Sequence, residues 1–200
     1  GDGVNDLILR FSIYTQNKSQ EPNYGQAEEY WQGMISGNRG NVLWQKSIEK
    51  KLSDWSSEDA PPLIADLDGD RLMDVVFCSP SFATSEDQPK LRDVIAVRGI
   101  DGKEFWQHAF EIAEDSLLLD KANRFYSPLN QGVARACLIG DLENDGVAEV
   151  VIGERTGEIH VFNGKTGEKK WSWKMPNTRD SYGPKICLAD MDGDKRAEVY

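Results

Sequence analysis

The sequence is poor in histidine and cysteine, and each shortage excludes a kind of site. Two histidines in 200 residues argue against a structural zinc centre, because such centres take four Cys or His ligands. The three cysteines are an odd number, which argues against a complete disulfide framework. Cys78, Cys137 and Cys187 each lie in an apolar, strand-like segment, and we expect all three to be buried as small hydrophobic residues.

Long apolar runs and basic stretches are missing too. The longest apolar runs, such as residues 75–78, have the length of a strand, whereas a membrane helix needs about 20 apolar residues. We therefore expect no membrane insertion within this chain. The net charge is −11 and no basic stripe is present, which argues against nucleic acid as a partner, because phosphates are bound by Lys and Arg.

What the sequence contains instead is a repeated acidic nonapeptide. Complete copies span residues 66–74, 141–149 and 190–198, and residues 2–6 supply the last five positions of a fourth copy. Positions 1, 3, 5 and 9 are acidic in every complete copy. The four copies hold 14 of the 34 acidic residues, and removing these 14 charges from −11 leaves +3. The acidity therefore belongs to the motif rather than to the whole surface.

Two further patterns repeat around the acidic motif. An apolar segment precedes each complete copy and a β-branched or apolar run follows it, which is typical of a strand, a tight loop and a second strand. Further along comes a glycine-rich turn with the pattern Gly-x-x-x-Trp, which indicates a β-hairpin. This second signature occurs at Gly40–Trp44, Gly102–Trp106 and Gly167–Trp171.

These patterns predict an all-β fold, a β-propeller of four-stranded antiparallel blades. One unit supplies four strands and cannot cover both of its faces, so units must stack on one another. Roughly three units are present, whereas a closed propeller has about 4 to 8 blades, and we expect a fragment of a larger ring. The chain is interpreted as one partial propeller over residues 1–200, with approximate repeats at 1–61, 62–133 and 134–185 and the start of a further repeat at 186–200.

The acidic nonapeptides and the strands after them resemble the FG-GAP/VCBS repeats of integrin-α-type propellers. The Gly-x-x-x-Trp hairpins resemble the outer strands of quinoprotein-like propeller repeats. The resemblance spans nearly the whole chain, and the motif is specific because it recurs in register. The sequence departs from the family pattern at position 3, where one copy has Glu143, and at position 9, where two copies have Glu149 and Glu198.

The spacing of the acidic residues suits calcium. Ca²⁺ takes about 6 to 8 oxygen ligands, and carboxylates at positions 1, 3 and 5 of a tight loop can all face one centre. The family resemblance implies that the carbonyl of position 7 and the carboxylate of position 9 complete the shell. About three structural Ca²⁺ sites are therefore expected. The predicted ligands are Asp66, Asp68, Asp70, Leu72 and Asp74; Asp141, Glu143, Asp145, Val147 and Glu149; Asp190, Asp192, Asp194, Arg196 and Glu198; and, in the truncated copy, Asp2 and Asp6.

Other interpretations of the motif fit less well. Mg²⁺ tends to keep its water and avoids all-protein cages. An EF-hand loop needs Glu at position 12, where this sequence has Phe77 or Ile152. A metal-free acidic turn would crowd four carboxylates together, which raises their pKa values through mutual repulsion.

Aromatic and histidine residues are interpreted as structural. Trp44, Trp106 and Trp171 recur at one position of each repeat, which favours packing between blades over sugar stacking. His108 and His160 lie in strand-like runs without a nucleophile arranged beside them. Neither pattern predicts a catalytic centre.

Two functions from different classes remain open. The first is a non-enzymatic, calcium-stabilised recognition, adhesion or scaffold module, extracellular, on a cell surface or periplasmic, with an unidentified protein or glycan partner. The alternative is the propeller portion of a secreted enzyme, either a polysaccharide lyase or a quinoprotein dehydrogenase. Segments 12–30, 79–92 and 110–132 interrupt the repeat, and a partner is expected to contact such insertions.

Overall fold

The computed structural model describes residues 4–14, 27–48, 61–78, 94–110, 133–154, 157–174, 186–194 and 196–200. All regular structure in these ranges is β, and none of the described residues forms a helix that could cross a membrane. The strands are β1 (Leu7–Tyr14), β2 (Ala27–Ile35), β3 (Val42–Ile48), β4 (Leu63–Ala65), β5 (Asp74–Cys78), β6 (Val94–Val97), β7 (Glu104–His108), β8 (Val133–Gly140), β9 (Glu149–Glu154), β10 (Glu158–Asn163), β11 (Lys169–Lys174), β12 (Leu188–Ala189) and β13 (Glu198–Val199).

The strands form four successive antiparallel sheets, each made of neighbours in sequence. The first sheet is β1–β2–β3, the second is β4–β5–β6–β7, the third is β8–β9–β10–β11, and the fourth is β12–β13. The second and third sheets follow the predicted order of strand, acidic loop, strand, strand, glycine turn and Trp-bearing strand. The described residues thus form an all-β structure of successive propeller blades, as the repeat predicts, and the second and third sheets have the predicted four strands.

The central strands of the second and third sheets are apolar on both faces because each of these two sheets lies between two others. In β5, Val76 and Cys78 belong to one core cluster, and Val75 and Phe77 to another. The period of two along a strand sends alternate side chains to opposite faces. β9 repeats the arrangement, with all six of its residues buried. One cluster joins the first and second sheets, one joins the second and third, and one joins the third and fourth.

Tryptophans of one sheet contact the glycine turn of the next. The indole Nε1–H of Trp106 donates a hydrogen bond of 2.7 Å to the carbonyl of Gly164. Gly167, with φ of +70°, lies under the same ring, and a Cβ there would come within 2.5 Å of it. Trp44 and Trp106 are each only 8% exposed. The prediction of packing between blades is confirmed for these two residues.

Trp171 departs from that prediction, because it is 42% exposed. It lines an open cleft with Leu142, Glu149 and Val199, between the third and fourth sheets. The described part of the fourth sheet consists of β12 and β13 and includes no glycine turn that could receive this ring.

The cysteine prediction is confirmed for the burial of Cys78 and Cys137, which are 0% and 6% exposed, but it is wrong in two respects. Cys78 at the end of β5 and Cys137 in β8 form a disulfide between the second and third sheets, with sulfurs 2.00 Å apart. Cys187 has a free thiol and is exposed. The sequence did not predict this pair, because two cysteines 59 residues apart come into contact only when consecutive sheets stack face to face.

Parts of the interrupting segments lie outside the described residues, including the stretch 111–122, which the sequence suggests is a short helix or an extra strand. Asp2, a predicted ligand of the truncated copy, also lies outside the described residues.

Candidate metal centres

Each acidic loop is held by its own side chains. In the first complete loop (residues 66–74), the carboxylate of Asp66 accepts hydrogen bonds from the N–H groups of Gly69, at 2.7 Å, and Arg71, at 2.9 Å. Gly69 and Arg71 both have positive φ, of 83° and 71°. The chain therefore curls around Asp66, and glycine at position 4 removes the Cβ clash of a left-handed residue.

Two further hydrogen bonds, accepted by the position 5 and position 3 carboxylates, recur among the loops. The position 5 carboxylate accepts from the N–H of position 7 in all three, at 2.7 Å for Asp70, 2.9 Å for Asp145 and 2.8 Å for Asp194. In loops 66–74 and 190–198, the position 3 carboxylate accepts from the N–H of position 5. Short Asp side chains make these local bonds readily. The contact that the structure shows for position 7 is made by its N–H group. The role of its carbonyl as a metal ligand stays a prediction.

Carboxylates at positions 1, 3 and 5 converge in two loops. In the group of Asp66, Asp68 and Asp70, one oxygen from each side chain lies within 4.8 Å of the others. The corresponding group in loop 190–198 meets the same limit. Two oxygens that both bind Ca²⁺ at about 2.3–2.6 Å can be no more than about 5 Å apart. Both groups meet this distance condition for a shared Ca²⁺ ion, and their ligand atoms are all oxygen.

The position 9 carboxylates are placed differently from this trio. Asp74 is 1% exposed, and its carboxylate accepts from the N–H groups of Leu67, at 3.1 Å, and Gly99, at 3.2 Å. Burial raises the pKa of Asp74, against the effect of these two hydrogen bonds. Glu149 and Glu198 likewise accept from the N–H of position 2. Position 9 thus closes the loop onto its own start, and its role as a metal ligand stays a prediction.

The fourth, truncated motif shows one of these contacts. Asp6, at position 9, accepts a hydrogen bond of 3.1 Å from the N–H of Gly37 in the turn between β2 and β3. Gly37 corresponds to Gly99, which contacts Asp74 in the second sheet. A Cβ at either glycine would strike the carbonyl of the residue before the position 9 acid.

The loop 141–149 is built differently, although Asp141 at position 1, like Asp66, accepts a hydrogen bond from the N–H of position 6. Asp141 accepts from the N–H groups of Asp145 and Gly146. Burial disfavours its charge, but these hydrogen bonds prevail and lower its pKa. Position 3 is the longer Glu143, whose carboxylate pairs with the ammonium of Lys170 at 2.8 Å. Among the described residues, no group of three ligand atoms from this loop meets the 4.8 Å limit.

The loop 66–74 also joins two sheets. Leu67, at position 2, is 1% exposed and belongs to the core cluster between the second and third sheets. A Cβ on Gly164 of the third sheet would lie 2.9 Å from its methyl group. Lys165, next to that glycine, donates a hydrogen bond of 3.1 Å to the carbonyl of Asp68. Order in this loop is therefore coupled to packing between blades.

One group of potential ligands was missed by the sequence analysis. Oxygens of Glu154 and Glu158 and a ring nitrogen of His160 lie within 4.8 Å of one another. His160 and Glu154 are both buried and are 3.0 Å apart. Strand pairing brings them together, because β9 ends and β10 begins at this hairpin. The spacing Glu-x-x-x-Glu-x-His could have suggested the group, had the hairpin been placed between Glu154 and Glu158.

No family model and no curated protein matches this sequence. Solved structures do match over the whole chain. They include a rhamnogalacturonan lyase of Bacillus licheniformis assigned to PL11, with a TM-score of 0.64 and 16% identity. The exotype rhamnogalacturonan lyase YesX has a TM-score of 0.62 at 17% identity, and the rhamnogalacturonan lyase YesW has 0.62 at 18%. At such identities the likeness shows the fold alone. This chain spans 36–37% of the length of each lyase.

Proposed function

We propose that the loops 66–74 and 190–198 each bind one Ca²⁺ ion, and that these ions are structural. The convergence of three carboxylates in each loop is the observation that carries the proposal. Oxygen-only ligands suit a hard cation. The resemblance to FG-GAP/VCBS repeats supports the same assignment from the motif.

A structural role follows from where the loop 66–74 lies. The carboxylates of Asp66, Asp68 and Asp70 are partly buried or exposed, whereas Leu67 beside them is buried between two sheets. A Ca²⁺ ion that offsets the charges of these three carboxylates reduces their mutual repulsion and holds Leu67 in place. Ion binding to the folded state alone then raises the stability of the whole interface.

Removal of calcium tests this proposal. The melting temperature of the protein should fall when EGTA is added, and it should recover with excess Ca²⁺ but not with equal Mg²⁺, which prefers a more hydrated site. At a free calcium concentration of 100 times Kd, one site contributes about 2.7 kcal/mol. An identical transition in EGTA and in Ca²⁺ would reject the structural role.

A compartment outside the cytosol is part of the proposal. The Cys78–Cys137 disulfide supports it, because disulfides persist mainly in secreted, surface or periplasmic proteins. Extracellular calcium modules also work at Kd values of about 10⁻⁴–10⁻³ M. The disulfide therefore favours an extracellular, cell-surface or periplasmic location, where calcium at such concentrations would fill the proposed sites.

The second candidate function is that of a polysaccharide lyase acting on rhamnogalacturonan. It is supported by three rhamnogalacturonan lyases that match the whole of this chain, and it corresponds to the enzyme alternative from the sequence. The non-enzymatic recognition module is the competing proposal. In both, the calcium loops are scaffold elements and the substrate or partner is met elsewhere on the propeller.

One assay separates the two functions. The protein is incubated with rhamnogalacturonan, and both glycan binding and the appearance of unsaturated chain ends, the product of a lyase, are followed. Unsaturated ends would support the lyase, and binding without cleavage would support recognition of a glycan. If neither glycan binding nor unsaturated ends are detected, rhamnogalacturonan is excluded as substrate and as partner, and the recognition module is left with a protein or a different glycan as its partner.

A further inference from the structure

The acidic loop 141–149 has a cation of its own. The ammonium Nζ of Lys170 lies 2.8 Å from Oε1 of Glu143 and 2.9 Å from Oε1 of Glu149. Those residues are positions 3 and 9 of the nonapeptide. The other oxygen of Glu149 accepts a hydrogen bond of 2.8 Å from the N–H of Leu142. Two of the expected metal ligands are thus already paired.

Lys170 has no cationic counterpart in the Trp strands of the first and second sheets. It lies in a β-bulge directly before Trp171. Val161 pairs with Trp171 and Phe162 pairs with Lys169, so that Lys170 has no pairing partner in β10. The bulge residues of the other two Trp strands are Leu43 and Phe105, both apolar. A cation therefore stands at a position where the repeat has a hydrophobic residue.

The buried carboxylate requires this partner. The side chain of Glu149 is 1% exposed and that of Lys170 is 22% exposed. A carboxylate buried without a counter-charge is strongly destabilising. The hydrogen bond to Glu143, and then that to Glu149, raise the pKa of Lys170, so the side chain stays charged at neutral pH.

We propose that the ammonium group of Lys170 occupies the place of Ca²⁺ in loop 141–149, so that this loop is held by an internal salt bridge and binds no metal. The proposal rests on the calcium sites proposed above for the other two loops. A dication within about 2.6 Å of Glu143 and Glu149 would lie next to the ammonium on the same oxygens, and the two positive charges would repel. The two cations therefore compete for these carboxylates.

The three loops differ in whether the carboxylates at positions 1, 3 and 5 converge, as this proposal requires. Positions 1, 3 and 5 converge within 4.8 Å in loops 66–74 and 190–198. In loop 141–149, Glu143 turns to Lys170 instead and makes no bond to the N–H of Asp145 of the kind that Asp68 makes to Asp70. The longer side chain at position 3 is what reaches the lysine.

Bound calcium in three matched variants tests the proposal. Asp70→Ala, Asp145→Ala and Asp194→Ala each remove the position 5 carboxylate and the same hydrogen bond to position 7. After equilibrium dialysis, Asp70→Ala and Asp194→Ala should each hold one Ca²⁺ fewer than the unchanged protein. Asp145→Ala should hold the same number. Loss of an ion in Asp145→Ala would overturn the assignment of Lys170.

A fourth variant tests the lysine itself. Lys170→Met removes the ammonium and keeps the chain length, so the loop should gain one Ca²⁺ at millimolar concentration. Should Lys170→Met fail to fold, the count for Asp145→Ala decides the question. If instead Asp70→Ala and Asp194→Ala lose no ion, the calcium sites proposed above fail, whatever Asp145→Ala shows.

Discussion

The indole N–H of Trp44 donates a hydrogen bond of 2.6 Å to the carbonyl of Gly99, which lies in the next sheet of the fold. Trp106 makes the same bond, at 2.7 Å, to Gly164 one sheet further on. Consecutive blades are therefore joined by one recurring contact between an aromatic ring and a glycine turn. The ring also covers a glycine with positive φ, Gly102 or Gly167.

Substitution of Trp106 by Phe tests this contact. Phenylalanine keeps an aromatic ring but leaves the carbonyl of Gly164 without its donor, which costs about 1–3 kcal/mol for a buried group. The free energy of unfolding should fall by that amount in urea titrations. Trp173→Phe is the control, since Trp173 is 49% exposed and should lose less than about 0.5 kcal/mol. Equal losses in the two variants would contradict the role of the hydrogen bond.

Truncation of Leu67 tests the coupling between the loop and the blades. Leu67→Ala removes a side chain that is 1% exposed, and such changes cost about 2–5 kcal/mol. Met191 has the same motif position in loop 190–198 but is 68% exposed, so Met191→Ala should be almost neutral. Chemical unfolding of both variants measures the difference. A cost below about 1 kcal/mol for Leu67→Ala would show that the loop does not support the interface.

The disulfide is tested by peptide mapping without reductant. Cys78 and Cys137 should be recovered as one cross-linked pair, and Cys187 should be alkylated in the native protein. Loss of the bond in Cys78→Ala/Cys137→Ala should cost about 2–5 kcal/mol, since it removes a constraint on the unfolded chain. Cys187→Ala is the matched control and should be close to neutral. Alkylation of all three cysteines in the protein as isolated would contradict the pairing.

His108 gives the stability a defined pH dependence. Burial, then the neighbouring His160 and Lys169, lower its pKa below the ordinary value of 6.5, with Glu154 acting in the opposite direction. The unfolded chain therefore binds the proton more readily, and stability rises with pH. This contribution should be complete above pH 6.5 and should be lost as pH falls through the lower, folded-state pKa. His108→Gln should flatten this part of the curve in urea titrations at several pH values, and an unchanged slope would contradict it.

The repeat made most of the fold predictable. The acidic motif, the β-branched runs and the glycine turns each indicate a local strand or loop, and their fixed order predicts the blade. No local pattern shows which faces of the sheets pack against each other. The Cys78–Cys137 bond and the exposure of Trp171 both depend on that stacking, and both differ from the prediction.

The structure of the acidic loops was predictable only in part for a similar reason. The spacing of Asp66, Asp68 and Asp70 was enough to predict their convergence, because the three lie in one tight turn. Lys170 comes from a strand two elements later in the same sheet, so its contact with Glu143 and Glu149 required the hairpin register. The group of Glu154, Glu158 and His160 was missed because it forms across two strands.

Anomalous scattering from crystals grown with CaCl₂ is the most direct test of the calcium sites. The account predicts one peak among Asp66, Asp68 and Asp70 and one among Asp190, Asp192 and Asp194, each about 2.3–2.6 Å from carboxylate oxygens. It predicts no peak beside Lys170. If the carboxylates of loops 66–74 and 190–198 face only water, with no anomalous peak at millimolar Ca²⁺, the proposed calcium sites are contradicted.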